Sequence, residues 1–238
     1  MKILITGGSG VLGRAAIPHL EDDDHQVVAP RHDELDLFDQ EVVGAAMNGV
    51  DAVFHLATRI PPRGRLDDPE AWKETDRLRR EATSVLVAAA TAADVELFLY
   101  PSVAFVYPPS GPVDESTPLG DMPQNIRSTV DAERHVARFA DRGRRGVVLR
   151  FGNLYGPGTR LEKPAEVWAS FGATVRIEDA GEALVAALGV PSGIYNVVND
   201  GERVSNARFK RETAWQPRAK PYRPAEAATG KRSGSIAR

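Results

Sequence analysis

Gly7, Gly10 and Gly13 stand at a spacing of three directly behind the apolar run Ile3-Leu4-Ile5. Each glycine in such a turn has its own physical use. The first lets the chain turn sharply, the second lets backbone approach a pyrophosphate, and the third lets the following helix pack closely on the strand. Helix N-terminal amides and the positive end of the helix dipole then hold phosphate oxygens. Gly7, Ser9, Gly10, Val11, Leu12, Gly13 and Arg14 are therefore the candidate phosphate cradle of a dinucleotide. Arg31 and His32 follow the second apolar run. An acid there would bond a ribose 2′-hydroxyl, whereas arginine favours the 2′-phosphate of NADP. Arg31 and Arg14 together offer two guanidinium forks to a phosphate dianion. The expected cofactor is NADPH, with NADH as the alternative.

Such a cradle works only if strands and helices alternate around it. Short β-rich runs at 2–6, 26–29, 52–56, 97–101, 147–151 and 194–198 are predicted strands, and helices are predicted at 11–20, 38–47, 70–92, 126–141 and 179–188. That alternation is the pattern of an α/β, doubly wound parallel sheet. The 238 residues suffice for one large α/β core. An apolar fraction of 42% and a net charge of -3 give no bias toward nucleic acid or membrane partners. Without cysteine there is no disulfide or thiolate metal site. The five histidines have no metal-ligand spacing and are expected to be solvated or capping residues. With no apolar leader or long apolar run, a cytoplasmic location is expected.

Four segments in register carry a more specific signal: Thr6 to Arg14, Glu34-Leu35-Asp36-Leu37, His55-Leu56-Ala57-Thr58, and Arg150 to Gly158. In order and position they resemble the extended short-chain dehydrogenases/reductases, the NAD-dependent epimerase/dehydratase family, over roughly residues 1–215. The resemblance implies a Rossmann-type fold in which Asp36 and Leu37 flank the adenine. It likewise implies that Leu56, Ala57 and Thr58 line the central cleft, with Pro101 nearby, and that Phe151, Gly152 and Asn153 lie beside the nicotinamide.

The departures from that family are as informative. Its paired Ser/Thr at the end of the fourth strand read Ser102-Val103 here, so the substrate-bonding hydroxyl falls on Val103. Counting back from Glu133, the YxxxK pair becomes Asn125 and Thr129, and a further family asparagine becomes Arg79. Hydride transfer to a ketone leaves an alkoxide, and a positioned general acid is typically worth about 10²- to 10⁴-fold. Asn125 cannot supply that proton, and Thr129 is too weak an acid to do so unaided. Ser102 remains a candidate donor to a developing oxyanion, or else merely caps the strand end. Tyr107 and Tyr155 are alternative acids. Otherwise the proton comes from water or from the substrate, as from a phenol beside the carbonyl of a hydroxyaryl ketone.

Residues 1–158 are read as the dinucleotide-binding domain, 159–215 as a truncated substrate-binding region with sheet-returning elements, and 216–238 as a mobile basic tail with six Lys/Arg and one acid. About fifteen residues separate Gly158 from Val175, too few for the family's usual helical cap. The pocket is expected to be open and suited to a large flat substrate. Thr58-Arg59-Ile60-Pro61-Pro62, Leu78-Arg79-Arg80-Glu81 and Ser102-Val103-Ala104-Phe105-Val106-Tyr107 together resemble a divergent actinobacterial branch of this family, and within it the atypical angucyclinone ketoreductases that lack the Tyr/Lys pair. This implies carbonyl reduction on an aromatic polyketide in antibiotic biosynthesis. A catalytically silent NAD(P)-binding regulator and a sugar-nucleotide epimerase or dehydratase remain the alternatives.

Overall fold

The computed structural model describes residues 1–162 and 172–218. The expected tail lies almost wholly outside the described residues. The chain runs β1 (Lys2–Thr6), α1 (Val11–Asp22), β2 (Gln26–Val28), α2 (Gln40–Ala46) and β3 (Ala52–His55). A 3₁₀ turn (Pro69–Trp72) then leads into α3 (Lys73–Arg77), a π-helical turn (Leu78–Ala82) and α4 (Thr83–Ala92). Next come β4 (Leu97–Val103), α5 (Gln124–Ala140), β5 (Arg145–Phe151) and the short β6 (Asn153–Tyr155). The last elements are β7 (Thr174–Arg176), α6 (Ile177–Ala186), β8 (Gly193–Val197) and α7 (Ala207–Glu212).

Six strands form one parallel sheet in the order β2-β1-β3-β4-β5-β8. Both faces are buried because successive side chains alternate sides and each side has a helical layer to meet. Ile3, Ile5, Phe54, Leu99 and Leu149 pack with Ala16, Leu20, Ala180 and Leu184 of α1 and α6. Leu4, Val53, Phe98 and Val148 pack with Leu86, Val136 and Phe139 of α4 and α5. The chain leaves β1 for β2 on one side and returns to β3 on the other, so the strand order reverses at β1. In open parallel sheets a ligand crevice lies at such a reversal, beyond the carboxyl ends of the strands.

Three elements differ from the sequence reading. The predicted 70–92 helix is interrupted by the π-helical turn. β4 continues past Pro101 to Val103, which a proline permits because β3 pairs with β4 only as far as Leu99 and β5 alone continues beside it. β6 pairs with β7 in a separate two-stranded parallel ribbon, a contact between segments too short for periodicity to reveal. Among the described residues no helix is long and apolar enough to cross a membrane.

Candidate dinucleotide and reduction site

Gly7 has φ +75°, and a Cβ there would sit 2.6 Å from the Ala57 Cα. The turn after β1 is thus pressed against the exit of β3, where Leu56 donates its amide to the Thr6 carbonyl at 2.9 Å. At Gly13 a Cβ would meet the Gly8 carbonyl oxygen at 2.3 Å, so this glycine lets α1 lie on the turn itself. Gly10 is different. A Cβ there would meet only the Gly7 oxygen, at 3.0 Å, and open space otherwise. No side chain caps α1 at Gly10, which leaves its first amides for an external acceptor. A bare helix start with an open approach at Gly10 fits a pyrophosphate. Arg14 folds back to donate to the Ser9 carbonyl.

The remaining cofactor candidates share the carboxyl edge of the sheet. Phe151 ends β5 opposite Val103 of β4. Gly152 and Asn153 continue from there, their amides donating to Val197 and Ala173 carbonyls at 3.1 and 2.8 Å. Pro101 lies on the same stretch of β4 and Thr58 follows Ala57 at the mouth of β3. Asp36 accepts from the Phe38 amide at 2.9 Å, which fixes the bend that carries Leu37 against the core. Arg31 and His32 lie just beyond β2. The Arg31 guanidinium is 70% exposed and paired with Asp33 at 3.2 Å, an acid that a 2′-phosphate would have to displace. Arg31→Asp is expected to weaken NADPH binding by about 1–3 kcal/mol, the value of a charge-assisted hydrogen bond, with little change for NADH. Calorimetric affinities that do not separate the two cofactors, before or after the change, would reject the arginine's role.

The surroundings of Asn125 and Thr129 are packed with polar groups. Asn125 lies in the first turn of α5, and Thr129 one turn later is buried. The Thr129 hydroxyl shares hydrogen bonds with the Tyr100 phenol at 3.1 Å and with the Ser102 hydroxyl at 3.4 Å. Ser102 is only 2% exposed. It donates a hydrogen bond to Glu133, which also accepts from Nε and Nη2 of the buried Arg150 at 2.9 and 2.7 Å. As placed, Ser102 belongs to this internal ion pair, and donating to a substrate oxyanion would require it to release Glu133. Tyr107 is likewise occupied: its buried hydroxyl donates to Asn196 at 2.8 Å, and burial holds its pKa above the usual value. Tyr155 meets the Asn199 amide at 3.3 Å, and burial raises its pKa as well. The ion pair between Glu133 and Arg150 was not legible in the sequence. An arginine between the apolar run Val147-Val148-Leu149 and Phe151 was the available signal, since a buried charge needs a partner.

His55 corrects the expectation that the histidines are solvated or capping. It is 1% exposed, with Nδ1 2.7 Å from the Thr6 hydroxyl and Nε2 3.4 Å from the Leu78 carbonyl. The carbonyl can only accept, so Nε2 carries the proton and Thr6 donates to Nδ1. Burial lowers the His55 pKa from 6.5 to about 4. Because the unfolded chain takes up the proton first, stability from this group is complete above pH 6.5 and falls as pH drops toward 4. The full loss is about 3 kcal/mol. Denaturant titrations of the wild type and His55→Gln across that window should show a steeper pH slope for the wild type. Parallel slopes would contradict the assignment.

The family description NAD dependent epimerase/dehydratase matches residues 3–196. A 3-diazoavenalumate denitrifying reductase from a Streptomyces species is 37% identical over 180 residues, covering 67% of this chain and 58% of that protein. A 2-alkyl-3-oxoalkanoate reductase from Stenotrophomonas maltophilia is 30% identical over 184 residues, covering 69% and 54%. The chain thus spans little more than half the length of these curated relatives. Among solved structures, UDP-glucose 4-epimerase from Thermus thermophilus in complex with NAD superposes with a TM-score of 0.75 at 20% identity, covering 92% of this chain and 95% of that one. The dTDP-glucose 4,6-dehydratase DesIV from Streptomyces venezuelae gives 0.76 at 17%, covering 92% and 93%. The glycine turn, the sheet order and a family match over residues 3–196 agree: the chain belongs to the NAD-dependent epimerase/dehydratase family.

Proposed function

We propose that the chain is an NADPH-dependent ketoreductase acting on a carbonyl of an angucyclinone-type aromatic polyketide, with the proton supplied by the substrate. What supports this reading is the count back from Glu133, which sets Asn125 and Thr129 at the positions where the resemblance expects tyrosine and lysine. With Tyr107 bonded to Asn196 and Ser102 bonded to Glu133, neither is a ready acid in their place. When bound, a reduced nicotinamide would supply a hydride to the carbonyl carbon, leaving an alkoxide. A phenol beside that carbonyl hands its proton to the alkoxide, and the resulting phenolate recovers a proton from water. A polar cleft of about 470 Å³ lined by residues including Asp114, Thr117, Asn199, Glu202 and Ser205 suits the hydroxylated rim of such a substrate.

The diazoavenalumate relative favours a second acceptor. Hydride added to an aryl diazonium gives the arene and dinitrogen, and that balance needs no proton donor at all. Both acceptors are compatible with a site lacking the tyrosine. A panel of hydroxylated polycyclic ketones and aryl diazonium salts, followed by NADPH absorbance and product mass, separates them. Alcohol formed in step with NADPH consumed is the expected result. Arene formation alone would select the second reading. Tight NADPH binding with no turnover of either class would overturn both and leave a cofactor-binding regulator.

A further inference from the structure

Arg79 is 6% exposed, and among the described residues no carboxylate lies within ion-pair distance of it. Its Nη1 donates to the Asn125 carbonyl at 2.7 Å and to the Ser128 hydroxyl at 3.3 Å, so the guanidinium lies directly against the first turn of α5. The Trp72 ring stands 6.0 Å away. The helix carrying Arg79 widens into the π-helical turn at this point. Such turns are rare and gather at functional sites, because the wider turn re-aims a side chain and disturbs the regular backbone ladder. Here the Leu78 carbonyl faces both the His55 ring and the Thr83 hydroxyl, each at 3.4 Å. Packing alone does not require a cation in this place, since burying one carries a desolvation cost that a neutral side chain of similar length avoids.

The groups around Arg79 do not cancel its charge by direct contact. Asp76, on its own helix, accepts from Ser128 at 2.5 Å and offsets part of the charge through that hydroxyl. Burial raises the pKa of the Tyr100 phenol of β4, against the pull of Arg79 and of its bond to Thr129. Glu133 of α5 is held by Arg150, and His55 of β3 is neutral. We infer that Arg79 supplies a fixed positive charge beside the start of α5, and that it stabilises an anionic aryl oxygen bound there. Arg79 is thus an electrostatic positioning residue for phenolic ligands. The inference rests on the ketoreductase reading for its substrate class, since the substrate-assisted step ends in a phenolate.

4-Nitrophenol reports its own ionisation by absorbance and serves as the probe with the NADP⁺-loaded protein. Its pKa when bound should fall by about one unit, a tenfold stabilisation of the phenolate. The shift should vanish in Arg79→Gln and largely survive in Arg79→Lys, while the non-ionisable 4-nitroanisole binds all three proteins alike. A bound probe that titrates like the free phenol in the wild type overturns the inference without recourse to any variant. So does failure of the probe to bind, or a shift that persists in a folded Arg79→Gln. A phenolate shift without reduction of any ketone would remove the ketoreductase reading and leave this one standing. Ketone reduction whose pH profile is unchanged in Arg79→Gln would do the reverse.

Discussion

Gly10→Val is expected to weaken NADP(H) binding by at least a hundredfold while the fold persists. Gly10 has φ −71° and ψ 175°, a β-region conformation that valine adopts readily. The added Cβ would meet only the Gly7 oxygen at 3.0 Å, which a small local adjustment relieves. Its two methyl groups would instead occupy the approach to the amides of Val11, Leu12 and Gly13, the proposed seat of the pyrophosphate. Excluding it forfeits several charge-assisted hydrogen bonds at about 1.5–3 kcal/mol each. Gly13→Val is the informative control. There the Cβ would lie 2.3 Å from the Gly8 oxygen and 2.5 Å from its Cα, so backbone has to move and α1 has to lift from the turn. Overpacking of that kind costs about 1–3 kcal/mol, or roughly 2–4 °C of melting temperature per kcal/mol in a chain this size. Calorimetry and thermal melts should therefore separate the two variants. Gly10→Val should lose the cofactor at a nearly unchanged melting temperature, and Gly13→Val should lose stability. Undiminished binding by Gly10→Val would make the glycine turn structural only.

The pattern that exposed this turn in the sequence also exposed most of the sheet. Ile3-Leu4-Ile5, Val53-Phe54 and Val147-Val148-Leu149 are apolar on both faces because helices cover both faces, and glycine marks where backbone meets backbone. Contacts across the chain were not legible in that way. Ser102 and Glu133 are 31 residues apart, Arg79 and Ser128 are 49, and no local period relates them. Arg31 illustrates the same limit at short range. Its position after β2 was readable, whereas its pairing with Asp33 depends on how the loop bends. The π-helical turn has no compositional mark either, since Leu78-Arg79-Arg80-Glu81-Ala82 suits an ordinary α-helix equally well. Val103, Asn125, Thr129 and Arg79 are legible in the sequence as expected departures from the family pattern at the candidate site. The packed structure was needed to see that Arg79 and the Ser102-Glu133-Arg150 cluster occupy its surroundings.

Methylating the phenol beside the reducible carbonyl is expected to cost at least a hundredfold in turnover, whereas Asn125→Ala and Thr129→Ala should each cost less than about tenfold, far below the usual loss of a general acid. The contrast follows from where the proton resides. Asn125 offers a backbone carbonyl to Arg79 at 2.7 Å, a contact that alanine preserves. Thr129 shares its hydroxyl with Tyr100 and Ser102 inside the core, so its removal perturbs packing and hydrogen bonding more than proton supply. The methyl ether has no proton to give, and the alkoxide would have to wait for solvent. A methyl group also adds bulk, so the ether must first be shown to bind competitively with the parent ketone. If it binds as well as the parent and is not reduced, the missing proton explains the loss. Solvent isotope effects give an independent reading: single-turnover reduction of the parent should be slowed in D₂O if proton transfer accompanies hydride transfer, and Asn125→Ala should leave that effect unchanged. A thousandfold loss in folded Asn125→Ala or Thr129→Ala would instead place a proton relay within the protein. Equal turnover of the ether and the parent would dismiss the substrate as proton donor.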